Sequence, residues 1–544
     1  MTEGRVNRSV LVVGNGPYCF KVAGELASVD SVSLAVLREA RLDEMERKPN
    51  LVELLMPVEL LGFSGQPGEF RAVFRQTDGS HAERTYGFVV VALESEWIST
   101  LNKWSVVEDS RTTSLSKLEK YFNEYLGNIG PGDKVVFISG FKQNSYPVSQ
   151  EKIVNFAAAV REKTGAATYV LMEQFKVAQE GLERAFRLAR ELGVVFVKFS
   201  QTIPEVRVGP EECTVQYMDE AMGQAVKISP QLLIFEDEAC PPPEGRYISD
   251  LLGINLGNQG FLQGDFLFNL PIYTNRTGIF VVGSGKGPIS EKEAEREAEA
   301  VAEEVAKLVC SFDKEVVGPF PRLNENECIH CLTCYRSCPH KAISLYPGQR
   351  SPQISPVACR GCGICVESCP RRAIDFEDGE SGISYYGIDK EIAHIVYEDS
   401  RDVPRIAVFA CVNSAYDAYL LAKSRGDRLQ ARCSVLKVPC GGRVEAAAVI
   451  KALGSGIDGV AILTCHEDSC KSVHGASRCR KRIAAVKEMM TKCGVKEEAI
   501  LFGTVAPGSA PQFVELINRF SLRLQGRDGS SIIPGNAGSG GEAR

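Results

Sequence analysis

No stretch of this chain approaches the roughly twenty apolar residues needed to cross a bilayer, although 44% of its 544 residues are hydrophobic. Membrane contact is therefore expected only through partners. A basic excess is missing too: 62 Lys and Arg stand against 69 Asp and Glu, for a net charge of −7. That argues against nucleic acid as a ligand, because a phosphate backbone needs clustered positive charge. The apolar run after Ser9 is only Val10-Leu11-Val12-Val13 before it meets glycine, too short for a secretory leader, so a cytoplasmic location is expected. Nor is there a nucleophile paired with a base, a catalytic dyad, or a second intact Gly-x-Gly-x-x-Gly for a nicotinamide nucleotide. The chain does not read as a self-sufficient catalyst.

What it has in quantity is cysteine, 19 in all, in spacings that suit metal ligands in a reducing compartment rather than a disulfide framework. Two near-copies stand out: Cys328-Ile-His-Cys331-Leu-Thr-Cys334-Tyr-Arg-Ser-Cys338-Pro339 and Cys359-Arg-Gly-Cys362-Gly-Ile-Cys365-Val-Glu-Ser-Cys369-Pro370. Three thiolates on one tight loop reach three irons of a cubane, and the fourth, set beside proline, reaches the other cubane. The spacing assigns Cys328, Cys331, Cys334 and Cys369 to one [4Fe–4S] cluster, and Cys359, Cys362, Cys365 and Cys338 to its twin. Zinc ribbons pair two Cys-x-x-Cys units and have no use for the third step or the Cys-Pro ending.

The remainder reads as α/β. Residues 1–315 alternate β-branched runs, among them Val10–Val13, Phe88–Ala92 and Lys134–Ser139, with helical periodicity. A two-cluster ferredoxin unit is expected at 316–378, a polar linker at 379–404, a parallel α/β unit at 405–522, and a disordered Gly/Ser-rich tail at 523–544. In the C-terminal unit three apolar strands end on Cys411, Cys440 and Cys465, and helical stretches between them predict parallel strands whose ends share one edge. Cys470 follows in a loop. Four thiolates so placed suit a [2Fe–2S] cluster or a structural zinc, and spacing leaves both open. Cys433, Cys479 and Cys493 read as core or surface thiols.

Val438-Pro-Cys440-Gly-Gly-Arg443-Val444, Gly456-Ile-Asp458-Gly459 and Cys465-His466-Glu-Asp-Ser-Cys470 resemble the delta subunit of methyl-viologen-reducing hydrogenase. The resemblance covers essentially all of 405–520 and implies one [2Fe–2S] cluster on Cys411, Cys440, Cys465 and Cys470. At the other end, Val10-Leu-Val-Val-Gly14-Asn15-Gly16-Pro17-Tyr18-Cys19 opens like a dinucleotide-binding turn with Cys19 in the place of its third glycine. The acid that would hold a ribose falls near Leu37 or Arg38, with Glu39 displaced from it, and an Ala-Thr-Gly turn is replaced by Ala92-Leu93-Glu94. Pro57 through Gly68, Gly181-Leu-Glu-Arg, Gly260-Phe-Leu-Gln and Gly278 through Pro288 resemble the flavin domain of the A-type subunit of heterodisulfide reductase. That resemblance implies a Rossmann-like FAD-type domain, with Gly14, Gly16, Gly283, Gly285 and Gly287 as cofactor-binding residues.

The order of parts is similar to the B-type subunit of the quinone-interacting membrane-bound oxidoreductase complex and to fused electron-transfer subunits of class II benzoyl-CoA reductases. It implies an electron-transfer subunit working with other subunits of a redox complex, heterodisulfide-reductase-, hydrogenase-, dehydrogenase- or quinone-linked. A self-contained flavoenzyme and a cluster-bearing scaffold without flavin are the alternatives. Counting ligands gives the first prediction: anaerobically reconstituted protein should carry about ten irons and no stoichiometric zinc per chain. About eight irons with one zinc, by elemental analysis, would remove the C-terminal cluster and leave the ferredoxin unit.

Overall fold

The computed structural model describes residues 7–526 apart from 38–51, 56–57, 77, 200–201, 210–211, 221–222, 265–269, 313–319, 346–347, 377–387 and 397–402. The apolar run at Val10–Gly14 is a strand buried along its whole length, because it lies between parallel neighbours Val32–Val36 and Phe88–Ala92. Val52–Leu55 and Ile279–Val281 complete this five-stranded sheet. Side chains alternate across a strand. Val10 and Val12 therefore enter one core with Val22 and Leu26 of helix Tyr18–Leu26 and with Val301 and Val305 of helix Glu291–Phe312. Leu11 and Val13 enter another, with Phe70, Phe74 and Ile248. A parallel sheet covered on both faces needs such continuous apolar runs.

The chain leaves this sheet at Ala92 and rejoins it at Ile279, beside the strand it left. Between these points a second parallel sheet forms, ordered Val195–Lys198, Ala167–Met172, Lys134–Ser139, Leu232–Phe235, Thr112–Ser114. It too has two cores, Val135 and Phe137 facing one and Val136 and Ile138 the other. The expected single span 1–315 thus contains two α/β units, one inserted into the other. Both have the same strand–helix rhythm, so periodicity alone could not separate them.

The ferredoxin unit is built from two short antiparallel pairs, Arg322–Leu323 with Ile374–Asp375 and Ile343–Ser344 with Gln353–Ile354. Two short helices, Thr333–Ser337 and Ile364–Ser368, carry cysteines between them. The C-terminal sheet is parallel, ordered Arg432–Val438, Arg405–Cys411, Gly459–Thr464, Ile500–Thr504. The expected helices form at Ala415–Ser424 and Ala446–Gly454. One difference concerns the linker: helix Ile388–Val396 lies inside 379–404, and its Ile388, Ile392 and Ile395 join the core of Phe409 and Leu436. Its three isoleucines sit at helical spacing, but polar flanks disguise them. The tail beyond Gly526, Arg38 and Glu39 lie outside the described residues. Among the described residues no helix is long and apolar enough to cross a membrane.

Candidate metal centres

The two ferredoxin repeats correspond at a 31-residue offset, from Cys328 to Cys359, and the correspondence carries into the backbone. Positive φ recurs at His330 and Gly361, at Leu332 and Gly363, and at Lys341 and Arg372. Non-glycine residues adopt this region reluctantly. Here the turns aim amide N–H groups at sulfur: His330 and Gly361 donate to Cys328 and Cys359 at 3.4 Å, Ala342 and Ala373 to Cys338 and Cys369 at 3.3 Å. Such donors compensate negative sulfur and tune a cluster's potential.

The fourth cysteine of each run crosses over. Cys338, Cys359, Cys362 and Cys365 line one small cavity, together with Pro339, His340 and Ile343. Burial pushes the Cys362 thiol up to about 12 and Cys365 well above its ordinary value. Cys334 is raised first by burial and then by the neighbouring charges of Cys369, Cys328 and Cys331. The structure therefore brings the two expected quartets together. Half-buried and buried thiols around an apolar cavity, edged by amide donors, fit a cubane that takes them as thiolates.

In the C-terminal unit Cys411, at the end of Arg405–Cys411, comes within 3.7 Å of Cys465, sulfur to sulfur. Cys440 and Cys470 converge over Gly475, where a Cβ would collide with the Cys440 Sγ and meet the Cys470 Sγ at 3.5 Å. All four thiols are buried. Shared hydrogen bonds hold Cys411 and Cys470 below the ordinary thiol range and push Cys440 and Cys465 above it. Cys479 is fully buried in the core, Cys433 is half-buried and Cys493 is exposed. The His466 Nδ1 lies 3.1 Å from the Thr504 hydroxyl. Among the described residues no three His, Cys, Asp or Glu side chains close round a single ion.

Residues without a role in the sequence pattern join the quartets. Ser472, two positions past Cys470, lies beside Cys362, where it draws the thiol down against the larger effect of burial. A Cβ on Gly442 would meet Ile364 at 2.9 Å, so the two units touch backbone to side chain. Arg482 pairs with Glu367 and donates to the carbonyls of Val444 at 2.8 Å and Gly442 at 3.2 Å. Arg443 is 3% exposed, packs on Gly363 and lies over the Phe376 ring at 4.9 Å. Its Nε and Nη1 have no partner among the described residues. Buried guanidinium donors next to the Cys365 helix suit the sulfur of a cluster, since orphaned donors are costly.

The five glycines of the expected flavin site are placed as follows. Tyr18 sits on Gly283, where a Cβ would fall 2.5 Å from its ring, and Gly285 lies against the Leu93 carbonyl. Cys19 packs against Gly14 too closely for any side chain there, and its thiol bonds the Gly16 carbonyl at 2.9 Å. Gly16 abuts the Glu94 carboxylate, which accepts from the Tyr18 amide at 2.6 Å. Gly287 lines a separate cleft of about 830 Å³ that reaches Asp468 and Ser469. The position where a cofactor phosphate would approach the helix N-terminus is filled by protein atoms, so the residues present do not fit a dinucleotide there.

Gly475→Ala should be the most local lesion of the C-terminal centre. Its methyl group would displace the Cys440 sulfur, so low-temperature paramagnetic resonance should lose the C-terminal signal and keep both cubane signals. Loss of all three would mean that the units fold as one with their metals.

The description "Methyl-viologen-reducing hydrogenase, delta subunit" fits residues 406–526, and "4Fe-4S dicluster domain" fits residues 321–376. The chain is 27% identical over 122 residues to an iron-sulfur subunit of the F420-non-reducing hydrogenase of Archaeoglobus profundus, covering 22% of this chain and 89% of that one. It is 24% identical over 351 residues to the A-type subunit of the ferredoxin/F420H2-dependent CoB-CoM heterodisulfide reductase of Methanosarcina acetivorans, covering 64% of this chain and 43% of that one. It therefore spans less than half the length of that reductase component. Thioredoxin reductase of T. acidophilum aligns with 56% of this chain and all of its own, at 15% identity and a TM-score of 0.37. The chain is thus a fusion of a heterodisulfide-reductase-like region, 4Fe–4S dicluster domain included, with a C-terminal domain like the hydrogenase delta subunit.

Proposed function

We propose that this chain is the iron–sulfur electron-transfer subunit of a heterodisulfide-reductase-like oxidoreductase complex, with two [4Fe–4S] clusters and one [2Fe–2S] cluster on the twelve cysteines named above. The observation that carries the reading is contact between the cysteine-bearing segments: a Cβ on Gly442, two residues past Cys440, would meet Ile364 at 2.9 Å, and one on Gly363, next to Cys362, would meet the Arg443 side chain at 2.5 Å. The name "iron-sulfur subunit" of the Archaeoglobus relative favours iron over zinc at the C-terminal quartet. Bound clusters supply one-electron transfer and do not by themselves transform a substrate.

The chain's own residues set the order. The Cys338, Cys359, Cys362 and Cys365 quartet is central, wedged between both neighbours. His340 bonds the Asn275 carbonyl at 2.9 Å and Arg360 the Thr274 carbonyl at 2.7 Å on the N-terminal side. Ser472, Gly442 and Arg443 cover it on the C-terminal side. The other ferredoxin quartet is peripheral: Cys331 is exposed, with Ile329 57% and Tyr335 48% exposed beside it, whereas the equivalent of Tyr335, Val366, is 8% exposed. Such exposure lets a partner's redox centre approach at that end. The C-terminal quartet receives or delivers electrons at the other, where Asp468 and Ser469 border the cleft.

A reductive titration of the full chain tests this. Uptake of about three electrons per chain, one for each quartet, with each new signal assigned by paramagnetic resonance, is expected. About two electrons, both on cubanes, would take the C-terminal quartet out of the relay and undo the proposal.

A further inference from the structure

In a dinucleotide-binding α/β unit the phosphates sit where the first strand turns into its helix, because free backbone N–H groups and the helix dipole favour negative charge there. This chain builds that turn twice, once in each N-terminal sheet. A carboxylate of the chain occupies both.

In the first sheet the turn follows Val10–Gly14 and opens helix Tyr18–Leu26. The neighbouring parallel strand Phe88–Ala92 is in register with it, Gly14 opposite Ala92. Two residues beyond Ala92, Glu94 swings under the turn. Its Oε1 accepts from the Tyr18 amide at 2.6 Å, and its backbone is clamped by Asn15, whose Oδ1 accepts from the Glu94 amide at 2.7 Å. A Cβ on Gly16 would meet all three carboxyl atoms within 2.7 Å, so the glycine leaves room for Glu94. Across the crevice the Gly283 amide, another donor that a cofactor could use, is taken by the Glu297 Oε2 at 2.9 Å. Glu297 is itself paired with Lys286 at 2.5 Å, both side chains nearly buried.

The second sheet repeats the device. The turn Ser139–Tyr146 joins strand Lys134–Ser139 to helix Pro147–Thr164. The neighbouring parallel strand Leu232–Phe235 is again in register, Ile138 opposite Phe235. The next residue, Glu236, is 1% exposed. Its carboxylate accepts from the Gly140 amide and the Ser139 hydroxyl at 2.8 Å each, from the Ser145 hydroxyl at 2.7 Å, and from the Ser149 hydroxyl. Burial pushes its carboxyl above the usual carboxylate range, and these four donors offset only part of that. Hydrogen bonds to a charged acceptor are stronger than those between neutral groups, so four of them together offset part of the cost of burying the carboxylate. The turn is filled and its donors are satisfied.

We propose that Glu94 and Glu236 stand in for the phosphates of FAD and of a nicotinamide dinucleotide, so that neither cofactor binds. The first N-terminal unit then serves as the seat that holds the ferredoxin unit: Gln66, from the strand Glu59–Gln66, donates to the Lys341 carbonyl and the Ser344 hydroxyl at 2.8 Å each. The roomy cleft at Gly287 is lined by Lys286, Glu297 and Tyr146 and by none of Gly14, Gly16 or Glu94, so it borders the filled turns without including the first. Electrons then cross this chain through its cysteine quartets alone.

The test uses the full chain purified without oxygen. Acid-released FAD, read by fluorescence, should stay below about a tenth per chain, and NADH should leave the visible spectrum unchanged. Glu94→Gly empties the first turn, and titration of this variant with FAD, followed by fluorescence quenching, should show affinity at least ~tenfold above the parent. Glu94→Gln keeps the shape and removes the charge, and should fall between them. Near-stoichiometric FAD in the parent chain, or bleaching by NADH, would overturn the proposal. So would a folded Glu94→Gly protein that binds FAD no better than the parent.

Discussion

Sulfur that is to carry negative charge inside a protein must be surrounded before it can be buried, and this requirement shapes the molecule's centre. Desolvation disfavours a thiolate, and eleven of the twelve quartet cysteines are shielded to some degree, Cys331 alone being exposed. The chain meets the cost with amide N–H groups, which the positive-φ turns at His330, Leu332, Lys341 and their counterparts 31 residues on point towards sulfur. In the C-terminal unit the same need fixes Gly475 beneath Cys440 and Cys470 and places the Gly442 amide 3.4 Å from Cys440. Arg443 brings unpartnered donors from the C-terminal unit against Gly363 of the ferredoxin unit, and Ser472 lies beside Cys362. Once these contacts are made, the two units cannot slide apart without exposing charge, which is why the relay and the interface are one structure.

The duplication is symmetric in backbone and asymmetric in environment. Val366 is covered where Tyr335 is open, and Arg360 is anchored to Thr274 where Ile329 is exposed. A symmetric pair would offer partners two equivalent entrances. Burying one quartet between two domains and leaving the other at the surface gives the path a direction in space, although not a direction of flow.

The cysteine quartets were legible in the sequence because each ferredoxin run packs its four ligands into a few residues, and strand ends are fixed once a parallel sheet is recognised. The apolar runs at Val10–Val13, Lys134–Ser139 and Ile406–Cys411 were legible for a related reason: a strand covered on both faces cannot tolerate polar alternation. What stayed hidden depends on register between distant strands. Nothing local marks Glu94 or Glu236 as the filling of a turn more than 75 residues away in sequence. Ser472 and Arg443 acquire roles only after two units dock. The helix at Ile388–Val396 was masked by its polar flanks, and the inserted second sheet by having the same rhythm as the first.

In the proposed function the C-terminal quartet and the central ferredoxin quartet form one continuous electron path. Paramagnetic resonance of the fully reduced chain, compared with spectra taken at partial reduction, tests it most directly, since neighbouring spins broaden and split one another. A continuous path requires that the C-terminal signal, sharp when reduced alone, becomes broadened when a cubane on Cys338, Cys359, Cys362 and Cys365 is reduced as well. Three signals that simply add, with no mutual broadening at any stage, would contradict it.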